Sequence, residues 1–249
     1  MIGNPLEQFL ITSILPIRLG SIDMSFTNSS LFMLLVLLAV SMFFLLSIAN
    51  STLVPSKWQS LAELLYLFVL GVTQENVTGT EKNRYFPFMF TLFFFILVSN
   101  LLGMIPYTFT VTSHISITFG LAISIFIAIV LLMIVRHKIH SFTTFMAPGC
   151  PTILAPFLVP IEIISFFSKP FSLSIRLFAN MMSGHSLLKI LAGFSWTMLS
   201  LGGIFYIIQL APLFLVFLIT GLEIGIAALQ AYVFTVLVCM YLRDALYLH

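Results

Sequence analysis

In two runs in the last third of the chain, roughly Ile153 to Phe194 and Gly203 to Leu242, the apolar character barely stops. As helices rising about 1.5 Å per residue, each would reach about 60 Å, twice the bilayer's hydrocarbon core of about 30 Å. Straight helices perpendicular to a membrane cannot be that long. These two must tilt steeply, bend, or run partly along the membrane plane. GFSWTMLSLGG, Gly193 to Gly203, is the expected turn between them, giving a long antiparallel hairpin. Pro170 and Gly184 in the first arm, and Pro212 and Gly221 in the second, are places where bending costs little.

Upstream, the runs have ordinary membrane-spanning length. Leu31 to Ala49, Phe86 to Ile105 and Ile115 to Val135 each fit one crossing. WQSLAELLYLFVLGV, Trp58 to Val72, is too short to span comfortably and reads as a helix along the interface. Residues 1–30 are expected to form an outer N-terminal segment; with Glu7, Arg18 and Asp23 in it, the stretch does not read as a secretory signal. The fold expected is an all-α polytopic membrane protein in one domain spanning 1–249, without internal repeats. Composition agrees: 60% of residues are hydrophobic and 7% charged, against about 25% charged in soluble domains. A formal charge of +2 without a basic cluster excludes nucleic-acid binding. Cys150 and Cys239 are too isolated for a disulfide framework or a metal site, and packing is their expected role. Lys57, Lys82, Arg84, Arg136, Lys138 and Arg243 fall on one side of the membrane and only Arg18 on the other. By the positive-inside rule the N-terminus is expected outside and the C-terminus inside.

Within the first arm a second pattern runs. Glu162, Ser165, Lys169, Ser172, Arg176, Asn180 and Ser183 recur at spacings of 3, 4, 3, 4, 4 and 3, the helix period carried by polar residues. In lipid such a face has to be covered by protein or water. Serine and asparagine are ordinary interhelical glue, but Glu162, Lys169 and Arg176 exceed what glue requires. Lys169 and Glu162 are placed to snorkel or to pair with each other. Arg176 lies too deep for that, and a guanidinium in mid-bilayer costs from about 3 to over 10 kcal/mol. His185 is offset from this stripe by about half a turn and points to another neighbour. In the second arm Gln209, Glu223 and Gln230 share one face. Glu223 has no basic residue nearby in its own helix, so it is neutral, solvated, or paired with another helix, His185 and Arg176 being in reach.

Histidine and a carboxylate in a wet crevice exchange protons near neutral pH, whereas arginine neither accepts nor releases one. Proton-exchanging groups on both sides of a fixed positive charge make a poor open channel. They suit a path in which the proton leaves this chain, rides on a partner, and returns beyond the barrier.

FSKPFSLSIRLFANMMSGHSLLKILAGF, GLEIGIAALQAYVFTVLVCMYLRDALYLH and SNLLGMIPYTF (Ser99 to Phe109) together resemble subunit a of F-type ATP synthases, and the similarity extends over the whole chain. The resemblance implies a tilted helical hairpin against a rotating ring of c subunits, with two offset aqueous half-channels and no cofactor. It implies a subunit that is not catalytic for ATP chemistry itself, with peripheral-stalk and small membrane subunits as further partners in the lipid bilayer. By matching motif, Arg176 is the essential arginine and His185 with Glu223 the outer, uptake side. Glu162, Ser172 and Asn180 match the inner, release side, with Asp244 near that mouth. Gln230 matches a glutamine packed near the arginine, and Lys169 a supporting basic position. The acid and histidine have exchanged arms relative to many bacterial members, as in mitochondrial ones. With the missing secretory pattern this favours a mitochondrial inner membrane, N-terminus in the intermembrane space and C-terminus in the matrix, over a bacterial plasma membrane. The rival classes are a proton-coupled transporter or another energy-converting subunit. The first calls for paired halves with interrupted helices, and a haem carrier calls for several intramembrane histidines; neither pattern is visible.

Overall fold

The computed structural model describes residues 5–19, 22–23, 25–49, 52–77, 81–105, 108–138, 155–203 and 205–247. Cys150, Pro106 and Tyr107 lie outside them. Among the described residues, seven α-helices follow an N-terminal stretch of a 3-10 turn (Pro5–Phe9) and four short strands. The strands are β1 (Ser13–Leu15), β2 (Arg18–Leu19), β3 (Ile22–Asp23) and β4 (Phe26–Thr27). They pair antiparallel as β1 with β4 and β2 with β3, two small ribbons that the apolar patterning did not announce.

The helices are α1 (Asn28–Ala49), α2 (Lys57–Asn76), α3 (Glu81–Gly103), α4 (Ile115–His137), α5 (Ala155–Leu201), α6 (Phe205–Ile208) and α7 (Leu210–Leu246). Among the described residues, five helical stretches are long and apolar enough to cross a membrane: α1, α3, α4, Phe157–Leu201 and Phe205–Leu246. The fold is therefore all-α and membrane-spanning, with a long helical hairpin in its C-terminal half. α2 is not one of the five. Ser56 caps its start by accepting from the Gln59 backbone N–H, and Ala62, Val69, Val72 and Thr73 are buried.

α5 continues through Pro160 and Pro170 as a single helix of 47 residues. The first arm runs beyond the expected end near Phe194 and stops at Leu201. The turn falls on Gly202 and Gly203, whose φ values of +70° and +65° lie in the left-handed region that side chains resist. The earlier part of GFSWTMLSLGG is helical because, apart from Gly193, it contains no residue that opposes helix. Pro212 sits in the first turn of α7, where its missing N–H leaves no intrahelical bond unmade.

Two compact units arise, each from three separate pieces of chain. The first comprises Met1–Leu46, Phe94–His114 and Leu177–Ala231. Its core holds Val36, Phe94, Ile96, Leu177, Met181, Ala227 and Ala231. Phe44 meets Phe94 edge-on at 4.8 Å between ring centroids. The small alanines of α7 permit close helix approach, the usual basis of association in lipid. Asn28 joins the β1–β4 ribbon to α1: its amide donates to the Leu10 carbonyl, and its side-chain oxygen accepts from the Thr12 N–H.

The second unit comprises Ser47–Phe93, Ile115–Arg176 and Tyr232–His249. Aromatic contacts knit it: Tyr66 with Phe86, Phe119 with Phe171 and Phe126 with Phe166, at 4.9–5.0 Å. Two polar ties add to them. Arg136 bonds Glu81 at 3.0 Å, and a His137 ring nitrogen lies 3.0 Å from the Ala245 carbonyl.

Candidate functional site

In the second unit, α5 presents two contrasting faces. Leu173 and Ser174 are buried, and the Ser174 hydroxyl lies 3.2 Å from that of Thr118 on α4. Glu162, Ser165, Ser172 and Arg176 face outward and are exposed, among exposed Phe171 and Ile175. No hydrogen bond or ion pair within the described residues engages the Arg176 guanidinium. Lys169, expected to snorkel or pair with Glu162, instead stands 3.8 Å from Asp244. Its ammonium also lies over the rings of Tyr241 (4.9 Å) and Phe166 (5.4 Å). The reason is position: Asp244, near the end of α7, offers the carboxylate that Glu162 would otherwise supply. Among the described residues, Ser172 and Glu162 make no polar side-chain contact with this group, although they share its face of α5.

The first unit holds the other constellation. Glu223 of α7 is 2% exposed, and no hydrogen-bond donor among the described residues reaches either carboxylate oxygen. Its Oε1 is 3.8 Å from Nδ1 of His185. Of the two partners the sequence offered Glu223, histidine is the one this unit supplies. The other ring nitrogen, Nε2, is 3.2 Å from the Thr110 hydroxyl. A carboxylate enclosed in this way either carries the proton or balances an imidazolium, because an uncompensated buried charge costs several kcal/mol.

Two glycines make this possible. A Cβ at Gly184 would lie 2.7 Å from the Glu223 carboxyl carbon, so only glycine admits the acid beside His185. A Cβ at Gly103 would lie 2.6 Å from the Thr110 methyl carbon, so glycine also admits Thr110. Asn180 and Gln230 belong to the same unit, half-buried and buried respectively.

A model of the family described as ATP synthase A chain matches residues 30–243. The chain belongs to this family. Relatives named ATP synthase subunit a resemble it along its entire length. The Marchantia polymorpha protein is 53% identical, with both chains covered completely. The Arabidopsis thaliana protein, subunit a-2, is also 53% identical over the whole of this chain and 73% of its own. The Paramagnetospirillum magneticum protein is 47% identical over 99% of this chain and all of its own.

Several residues of the chain were not singled out from sequence. Thr110 is one. Asn100 is another, fully buried, donating to the Ala227 carbonyl at 3.2 Å and accepting from the Thr112 hydroxyl at 2.9 Å. It fastens α3 to α7 one turn beyond Glu223. A signal existed: Ser99 and Asn100 end a strongly apolar run, and TVTS follows within a dozen residues. Hydroxyls near a helix end are so common, however, that position alone does not mark them. His114, outside the spanning helices and stacked on Phe109 at 4.8 Å, is held below its usual pKa by burial.

Proposed function

We propose that this chain is the proton-translocating stator subunit of an ATP synthase, passing protons to and from a ring of c subunits through two half-channels. Family membership supports proton translocation within that complex. The observation that carries the finer reading is Arg176: exposed on a membrane-spanning helix, unpaired among the described residues, on a face too polar for lipid. A guanidinium so placed fits an arriving carboxylate of a neighbouring rotor.

An opposite charge within about 4–6 Å favours the ionised carboxylate. A protonated ring site reaching Arg176 therefore gives up its proton, and Arg176, which never titrates, repels any proton attempting to pass directly. Each proton is worth about 2.3 kcal/mol per 100 mV of membrane potential, retained only if that leak is closed. His185 and Glu223 serve uptake from the outer side. Glu162, Ser172, Asn180 and Asp244 serve release, with Gln230 and Lys169 in support. ATP chemistry belongs to other subunits, and a peripheral stalk holds this one still. Plant and algal relatives support a mitochondrial inner membrane with the C-terminus in the matrix, and the basic-residue asymmetry supports that orientation.

The test is the intact synthase in sealed vesicles. Arg176→Ala is expected to abolish ATP-driven acidification while passive proton permeability stays the same or rises. Arg176→Lys keeps charge without the planar fork and is expected to recover little coupling. Normal coupled pumping by the alanine variant would sink the barrier reading.

A further inference from the structure

The reading of His185 and Glu223 as a relay leaves one question: which of the two imidazole protons moves. We propose that Thr110 is a positioning residue that holds the Nε2 proton of His185, so that the proton exchanged with Glu223 is the one on Nδ1. The inference rests on the relay reading and deepens it.

The geometry supplies the reasons. Nδ1 faces the Glu223 carboxylate at 3.8 Å, and Nε2 faces the Thr110 hydroxyl at 3.2 Å. A hydroxyl has one proton to donate and lone pairs to accept with. That proton has an acceptor-only partner of its own, the Gly103 carbonyl at 3.5 Å, a long bond but an available one. With its hydrogen directed there, Oγ1 presents a lone pair to Nε2–H. The backbone is pinned as well, because the Ser113 hydroxyl donates to the Thr110 carbonyl at 2.6 Å. Gly103 has no side chain to push Thr110 away.

The opposite arrangement, Thr110 donating to Nε2, would occupy that nitrogen's lone pair. Neutral His185 would then carry its only N–H on Nδ1, and the proton passed to Glu223 would have to be replaced at a nitrogen already engaged. With Thr110 accepting, the step balances simply. The Nδ1–H bond breaks, an O–H bond forms on Glu223, and the imidazole is left neutral with its Nε2 proton in place. An aqueous proton from the outer side restores the imidazolium at Nδ1 after Glu223 has passed its own proton on.

The titratable groups on the elements that meet at His185 are Glu223 on α7, His114 at the end of the segment that carries Thr110, and Lys189 four residues on along α5. Any pH effect must be read against those three. In Thr110→Val, nearly the same shape without the hydroxyl, the imidazolium loses an acceptor for one of its two N–H groups. An unmet buried N–H of this kind lowers proton uptake by about tenfold.

The experiment uses the whole synthase in vesicles, recording proton-driven ATP synthesis while the outer-side pH is varied. For Thr110→Val the expected result is a half-maximal pH moved to more acid values and turnover reduced by about tenfold at neutral pH. Thr110→Ser restores the parental profile. If valine disturbs assembly, the contrast between Thr110→Ser and Thr110→Ala, one oxygen apart, carries the same test. A parental profile in the variants lacking the hydroxyl overturns the proposal. His185→Ala, measured alongside, separates the two levels: if it matches the parent, the relay reading itself is wrong. If it is slow while Thr110→Val is not, only the role of Thr110 fails.

Discussion

A methyl group in place of one hydrogen at position 184 would occupy the volume that now holds the Glu223 carboxyl group, 2.7 Å from its central carbon. The acid would have to swing away from His185, and the 3.8 Å separation between carboxylate and imidazole would widen. Gly184→Ala is therefore expected to assemble but to synthesise ATP about tenfold more slowly, in the range typical of general acid–base steps. The shorter acid of Gly184→Ala/Glu223→Asp is expected to recover part of the loss. A double-mutant cycle on turnover checks this, and strictly additive effects would show that the two positions do not share this space.

At the scale of elements, the hairpin turn stands on two consecutive left-handed glycines. Gly202→Ala or Gly203→Ala is expected to lower stability by about 1 kcal/mol each, since only glycine enters that region freely. Gly120→Ala, in the helical and uncrowded middle of α4, is expected to raise it by up to about 1 kcal/mol. Thermal denaturation of the assembled complex distinguishes these signs. The length of the apolar runs made both arms legible in the sequence, because a chain in lipid cannot leave backbone groups unmet and so stays helical. The turn was less legible. Gly193 and the Ser–Trp–Thr stretch after it read as a break, yet nothing in them forbids helix, and α5 runs on until two consecutive glycines turn into the left-handed region. The meeting of His185 with Glu223 was one of two options, since hairpin register depends on where that turn falls. Thr110 and Asn100 did not stand out because their significance lies in carbonyls and rings far away in sequence, not in any local spacing.

At the scale of the molecule, the polar face of α5 is the part the chain does not complete by itself. Ser172 lies on that face and is exposed. A cysteine there, Ser172→Cys, is expected to react quickly with a small maleimide when the subunit is purified alone in detergent, and to be protected in the whole synthase. Equal labelling in both states would show that no neighbour covers this face. The same feature bears on biogenesis. A copy released into the bilayer ahead of its partners has to keep Arg176 hydrated by drawing water and headgroups inward, distorting the surrounding lipid. On the proposed reading that strain is relieved once a partner covers this face, so the lone subunit bears a cost that the assembled complex does not.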